Sequence, residues 1–336
     1  MASEKPFPGV NGLERENPSE VLVTGATGFV GSALVRGLLL RGHSVRVAIR
    51  RHAPHLPLAA KRFGIGAMED CDWSESLSGA QVVVHAAARV HVMRETATNP
   101  LEAFRRVNVA STLSLARAAA ALGVKRFVFL SSIKALGEST TQGQPFAPRD
   151  TPAPLDPYGI SKLEAEEGLR AIAAETSLEL TVVRLPLVYG PGVRGNFRTM
   201  MSWLRRGIPL PLGRVRNQRS LVGLDNLVDF LCLCAAHSRA AGQTFHVSDG
   251  QDLSTTELLR GLGFALGHPA RLVPIPEAWL FALLHTMGKD SLATRLFGSL
   301  QVDSSSTQSI LGWRPPSDVT AELRRTAESF LRETRI

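Results

Sequence analysis

The stretch VLVTGATGFVG, Val21–Gly31, decides how the rest of the chain is read. Four residues of strand character end in Gly25, and Gly28 and Gly31 follow at the start of a helical pattern. Glycines there let a backbone approach a pyrophosphate, which then sits on the positive N-terminus of the helix. A tight strand-to-helix turn also asks for glycine, so the triplet alone does not decide between a dinucleotide site and a plain turn. Its setting does more: EVLVT reads as a strand and FVGSALVRGLLLRG as the helix after it.

Outward from this unit the pattern repeats. SVRVAIR, QVVVHAA, KRFVFLSS and LELTVVRLP are apolar, β-branched runs separated by helical segments. Continuously apolar strands alternating with helices predict an α/β, doubly wound parallel sheet, a Rossmann arrangement covered on both faces. After Pro186 the chain turns to Gly/Pro-rich loops mixed with helices. DNLVDFLCLCAA and TFHVSD read as a helix and strand returning to the first unit. The expected partition is a loose tail over residues 1–18, a dinucleotide-binding domain over 19–185 plus 222–248, and a smaller, discontinuous α+β lobe over 186–221 plus 249–336.

The 336 residues are enough for a sizeable core without metal or disulfide support. Three cysteines, Cys71, Cys232 and Cys234, lack metal-ligand spacing and point to a reducing cytoplasm. Cys232 and Cys234, two apart on a helix, face different ways, so no metal is expected. The net charge of +8 comes from arginines spread along the chain. That spread favours small anionic ligands over nucleic acid, with a solvated basic surface as the plain alternative. AWLFALLHTMG, Ala278–Gly288, is too short to span a bilayer.

In a doubly wound sheet, ligands bind beyond the carboxyl ends of the strands. The second strand ends VRVAIRR, without the acid that would hold a ribose 2′-hydroxyl. Arg50 and Arg51 suit a 2′-phosphate, so NADP(H) is favoured and NAD(H) remains open; two solvated loop arginines are the alternative. LDPYGISKLEAEEGL opens with Asp156 as N-cap and Pro157 at the first helical position. Tyr158 then lies in the first turn, with Lys162 one turn on along the same face. With two tyrosines and six lysines in the chain, chance gives this spacing only about 4% of the time.

The residue types suit proton transfer. A tyrosine must fall from about 10 by roughly three pH units, about 4 kcal/mol, to exchange protons near neutrality. One ammonium at about 4 Å supplies that order of energy at an effective dielectric of about 20. FVFLSSIKALGE places Ser131 and Ser132 at a strand end, where a hydroxyl can donate to a developing alkoxide. A Ser-Ser pair also makes a common turn or helix cap.

TGATGFVG, HAAA, Asn108 in RVNVASTL, the two serines and YGISK together resemble the extended short-chain dehydrogenase/reductase superfamily. The branch is that of NAD(P)-dependent nucleotide-sugar epimerases, dehydratases and reductases, and the resemblance runs from Val21 to the closing helix. It implies a catalytic set of Ser132, Tyr158 and Lys162. Gly25, Thr27, Gly28, Phe29, Val30, Gly31, Arg50, Arg51, Ala86, Ala87, Ala88, Asn108, Tyr158 and Lys162 would hold the dinucleotide. Asn196 and Arg219 match positions that hold a sugar-nucleotide diphosphate, and a homodimer through the helices containing Asn108 and Tyr158 is implied.

Departures from the family pattern narrow the reaction. Ile133 and Lys134 stand where 4,6-dehydratases carry Asp-Glu, which argues against dehydration. SSIKALGE, PLVYGPGV and NQRSLV resemble a subgroup found with O-antigen and lipopolysaccharide synthesis. The expected activity is reduction of a UDP-4-keto-6-deoxy-N-acetylhexosamine. The alternatives are a UDP-hexose or UDP-N-acetylhexosamine 4-epimerase and, in another class, a non-catalytic dinucleotide sensor.

Overall fold

Apolar residues fill both faces of the central strands, and helices cover both faces in turn. A computed structural model describes residues 18–90 and 99–334, so nearly all of the expected N-terminal tail lies outside the described residues. The strands are β1 (Glu20–Thr24), β2 (Ser44–Ile49), β3 (Lys61–Gly64), β4 (Val82–His85), β5 (Arg126–Ser132), β6 (Glu179–Leu185), β7 (Leu187–Tyr189), β8 (Leu221–Gly223) and β9 (Thr244–His246). The helices are α1 (Phe29–Leu40), α2 (Ser74–Leu77), α3 (Pro100–Phe104), α4 (Ser111–Ala121), α5 (Pro157–Glu175), α6 (Gly195–Arg205), α7 (Leu224–Ala236), α8 (Thr255–Ala265), α9 (Glu277–Thr286), α10 (Asp290–Phe297), α11 (Ser305–Leu311) and α12 (Val319–Glu333). A π-helical turn over Arg105–Ala110 joins α3 to α4.

Seven strands form one sheet in the order β3-β2-β1-β4-β5-β6-β9, and every pair is parallel. This is the doubly wound α/β sheet that the strand-helix alternation implies. Side chains alternate along each strand between two cores. Val21, Val23 and Val128 pack on one face with Leu34, Leu227 and Phe230 of α1 and α7. Leu22, Phe127 and Phe129 pack on the other with Leu115, Ala119 and Leu169 of α4 and α5. Each such fully buried side chain contributes about 1.5–3 kcal/mol, enough to hold the carboxyl ends of the strands in register.

DNLVDFLCLCAA forms α7, which packs on α1, and β9 pairs with β6, so both segments return to the large sheet. Helices α6, α8 and α12 build a separate core around Tyr189, Phe197, Leu259 and Phe330. β7 and β8 form a two-stranded parallel sheet beside it. None of the three cysteines forms a disulfide, and no cluster of three or more metal-ligating side chains occurs among the described residues. No helix among them is long and apolar enough to cross a membrane.

Candidate active site

The strand order reverses between β1 and β4, which opens a crevice at their carboxyl ends. Gly25 follows β1 with φ +69°, and a Cβ there would stand 2.6 Å from the backbone of Ala86 and Ala87. A Cβ on Gly31 would stand 2.2 Å from the Gly25 carbonyl oxygen. Only glycine permits both approaches. Gly28 is the N-cap of α1 and supplies no side-chain cap, and no acid occupies the first turn. The N–H groups of Phe29, Val30 and Gly31 therefore face the crevice as a positive helix end beside a loop held close by three glycines. That cradle fits a dinucleotide pyrophosphate.

The loop after β4 is pinned from both sides. Ala86 N–H donates to the Thr24 carbonyl at 3.2 Å. Behind it, His85 bridges Thr24 Oγ1 at 2.7 Å and Thr112 Oγ1 at 2.9 Å, tying β1, β4 and α4 together. Burial, helped by the nearby Lys162 charge, lowers its pKa to about 3, so the imidazole is neutral. Arg50 and Arg51 follow β2 directly and are exposed.

Asp156 caps α5 by accepting from Gly159 N–H at 2.6 Å, with Pro157 in the first turn. Tyr158 lands in that turn, half-buried, its ring edge-on to Phe104 at 6.0 Å. The Ser132 hydroxyl is near enough to the phenol to oppose the rise in its pKa. Lys162 is buried, donates from Nζ to the Leu130 carbonyl at 2.8 Å, and stands 4.6 Å over the Phe129 ring. His85 also stacks with Phe129, at 5.9 Å between ring centroids. Strand end, helix start and switch-point crevice thus bring Ser132, Tyr158 and Lys162 into one region.

The electrostatics differ from the expectation of an ammonium pulling the tyrosine down. Burial pushes Tyr158 up to about 12, Asp156 adds to the rise, and only the Ser132 hydroxyl opposes it. Lys162 is itself lowered to about 7 by burial, partly offset by Glu166. Both groups are desolvated, so each favours its neutral form. Burial thus disfavours the phenolate and the ammonium alike.

The two serines of β5 separate by strand alternation. Ser131 Oγ donates to Glu166 Oε1 at 2.5 Å, away from the phenol. Glu166 is also held by Arg184 at 2.8 Å and Arg170 at 2.8 Å, a buried carboxylate kept ionised by its partners. Sequence reasoning missed Glu166 and Arg184. The signal was present, because Tyr158, Lys162 and Glu166 repeat at intervals of four along α5.

Asn108 is buried and its side chain is fully engaged within the protein. Its Oδ1 accepts from Arg89 N–H at 2.7 Å, while Nδ2 donates to the Arg89 carbonyl and to Ser161 Oγ, each at 3.0 Å. Ser161 Oγ in turn donates to the Tyr158 carbonyl at 2.8 Å. Asn108 therefore couples the loop after β4 to the first turn of α5. Asn196 is exposed in the first turn of α6. Arg219 lies elsewhere in the smaller lobe, with Nη1 donating to the carbonyls of Arg295 and Gly298 at 3.1 and 3.0 Å. Lys134, next to Ser132 in sequence, is ion-paired with Glu138 at 3.0 Å and with Asp156.

Comparison with known proteins fits this geometry. The chain is 44% identical over 321 residues to the UDP-glucose 4-epimerase of Vibrio cholerae, covering 95% of this chain and 97% of that one. Among solved structures it matches MoeE5 in complex with UDP-glucose and NAD, with a TM-score of 0.73, 26% identity, and coverage of 94% of this chain and 99% of that chain. The UDP-glucose 4-epimerase of Thermotoga maritima, solved with UDP-glucose, has the same fold at a TM-score of 0.75 and 24% identity, covering 94% of this chain and 100% of that chain. Residues 21–248 match the family model described as the NAD dependent epimerase/dehydratase family, and the chain belongs to that family.

Proposed function

We propose that the chain moves a hydride at carbon 4 of a UDP-sugar, with 4-epimerisation as the net reaction. The observation that carries this reading is the 44% identity to a UDP-glucose 4-epimerase across 95% of the chain. The clustering of Ser132, Tyr158 and Lys162 beside the glycine cradle supplies the chemistry. The first-turn N–H groups of α1 would hold the pyrophosphate, with Thr27 and the loop Ala86, Ala87 and Ala88 lining the crevice. A bound nicotinamide ring supplies a hydride acceptor and donor.

The residues of the chain handle the proton. Once ionised to the phenolate, Tyr158 takes it from the carbon 4 oxygen as the carbon–hydrogen bond breaks, becoming the phenol, and gives it back to that oxygen when the bond re-forms on the other face. Ser132 donates a hydrogen bond to the same oxygen. Lys162, in its charged form, would offset the phenolate that Tyr158 must be in order to accept the proton, and would also hold the nicotinamide ribose. Arg219 fits one end of the diphosphate, since its Nε and Nη2 make no hydrogen bond among the described residues. Asn196 would meet the same group, and Asn108 acts by positioning the first turn of α5.

A second reading, net reduction of a UDP-4-keto-6-deoxy-N-acetylhexosamine by NADPH, is favoured by one observation. Arg50 and Arg51 stand exposed directly after β2, and no acid takes their place. One experiment separates the two. UDP-glucose, UDP-N-acetylglucosamine and the keto sugar are each added with NAD⁺, NADH or NADPH, while reduced-nicotinamide absorbance and the sugar products are followed. Interconversion with the galacto epimer without cofactor consumption is expected. Stoichiometric loss of NADPH with the keto sugar, and no epimer from either UDP-hexose, would replace the epimerase with the reductase.

A further inference from the structure

Helix α9 packs against α10 with Leu280 and Leu284 half-buried and leaves most of its apolar surface uncovered. Its sequence, EAWLFALLHT, has Glu277 and His285 as its only ionisable side chains, and none of its residues is buried. Trp279 is 73% exposed, Leu283 56% and Phe281 48%, and Met287 in the turn to α10 is 54% exposed. A helix lying on a protein turns its apolar face inward, whereas α9 turns Trp279, Phe281 and Leu283 outward, so these side chains call for an apolar medium beyond the protein. At ten residues it is about 15 Å long, half the thickness of a hydrocarbon core of about 30 Å. It can therefore lie in a membrane interface but not cross one.

The surroundings of this hairpin are basic. Arg214, Arg216, Arg271 and Lys289 are all exposed. They are tied to its base: Arg216 N–H donates to Glu277 Oε1 at 2.6 Å, Leu210 N–H to the Arg271 carbonyl at 2.9 Å, and Gly213 N–H to the Val273 carbonyl at 3.0 Å. Of the two acids nearby, Glu277 is occupied by that Arg216 bond and Asp290 is paired with His285 at 2.7 Å. An aromatic, apolar tip framed by arginine and lysine is the composition of an interfacial membrane element attracted to anionic lipid. The base is firm, because the Leu296 carbonyl accepts from Thr255 Oγ1 at 2.8 Å and the Gly298 carbonyl from Asn217 Nδ2 at 3.0 Å.

We propose that the α9–α10 hairpin docks the protein on an anionic lipid bilayer, laying Trp279, Phe281 and Leu283 at the headgroup boundary with the surrounding arginines and Lys289 against lipid phosphates. The hairpin's base also carries the Arg295 and Gly298 carbonyls that hold Arg219, so docking would set the smaller lobe of the crevice at the membrane surface.

The test is flotation of the full chain with vesicles of phosphatidylcholine containing phosphatidylglycerol, against vesicles of phosphatidylcholine alone. Three proteins are compared: wild type, Trp279→Ser with Phe281→Ser, and Arg214→Gln with Arg271→Gln. Wild type is expected to float with the anionic vesicles. The apolar double variant should partition at least about tenfold less, and the arginine variant should lose the salt-sensitive part of binding. Both variants should keep the wild-type thermal midpoint and dinucleotide affinity, since the substituted side chains are exposed. Failure of wild type to float with either vesicle overturns the proposal, as does equal flotation of all three proteins. If wild type does not float but light scattering shows an assembly that the apolar variant breaks, a second copy of the chain covers the hairpin and the lipid proposal falls.

Discussion

Replacing Lys162 with methionine should make the nucleotide-free protein more stable at pH 6, not less. The ammonium is buried, and its pKa moves from 10.5 to about 7, which corresponds to about 5 kcal/mol of ionisation free energy at about 1.36 kcal/mol per pH unit. Below pH 7 the folded protein carries this whole penalty, because the lysine is charged in both folded and unfolded states. Between pH 7 and 10.5 the unfolded chain still binds the proton that the folded chain has released, so stability rises with pH across that window. Methionine removes the penalty and nearly matches the stem in volume. It also removes the bond to the Leu130 carbonyl and the contact with the Phe129 face, together worth about 1–2 kcal/mol. The net expectation is a gain of about 3 kcal/mol at pH 6 that shrinks, and reverses, by about pH 10. Urea unfolding of both proteins across this range reads it directly. A variant less stable than wild type at pH 6, or a difference that does not change with pH, would refute the claim that burial governs this lysine.

Two further outcomes follow from the same region. Tyr158→Phe removes one oxygen from a half-buried ring packed on Phe104; it should fold and bind dinucleotide normally while turnover drops by about 10²–10⁴-fold, and near-normal turnover would remove Tyr158 from proton transfer. Gly31→Ala puts a methyl 2.2 Å from the Gly25 carbonyl oxygen, so the loop must shift; stability should fall by about 1–3 kcal/mol and dinucleotide affinity measured by calorimetry by at least about tenfold, whereas unchanged affinity would show that the cradle is not the pyrophosphate site.

The sheet, the glycine cradle and the capped start of α5 were legible in the sequence because each depends on contacts between near neighbours. Continuous apolar runs report strands buried on both faces, glycines report a turn too close for a Cβ, and Asp156-Pro157 reports a helix start. The four-residue interval from Tyr158 to Lys162 likewise needs only helix geometry. What those residues experience is another matter. That Lys162 falls to about 7 and Tyr158 rises to about 12 depends on Leu130, Phe129, His85 and Ser132, which reach the pair from other strands, so desolvation is a property of the assembled crevice alone. The same holds for Ser131 and Ser132. Adjacent in sequence and chemically identical, they are sent to opposite faces of β5, one to Glu166 and one toward the phenol. The full engagement of Asn108 with Arg89 and Ser161 also joins segments 19 and 53 residues distant in the chain. Local spacing determined which groups could act, and long-range packing decided their charge, their partners and the direction each one faces.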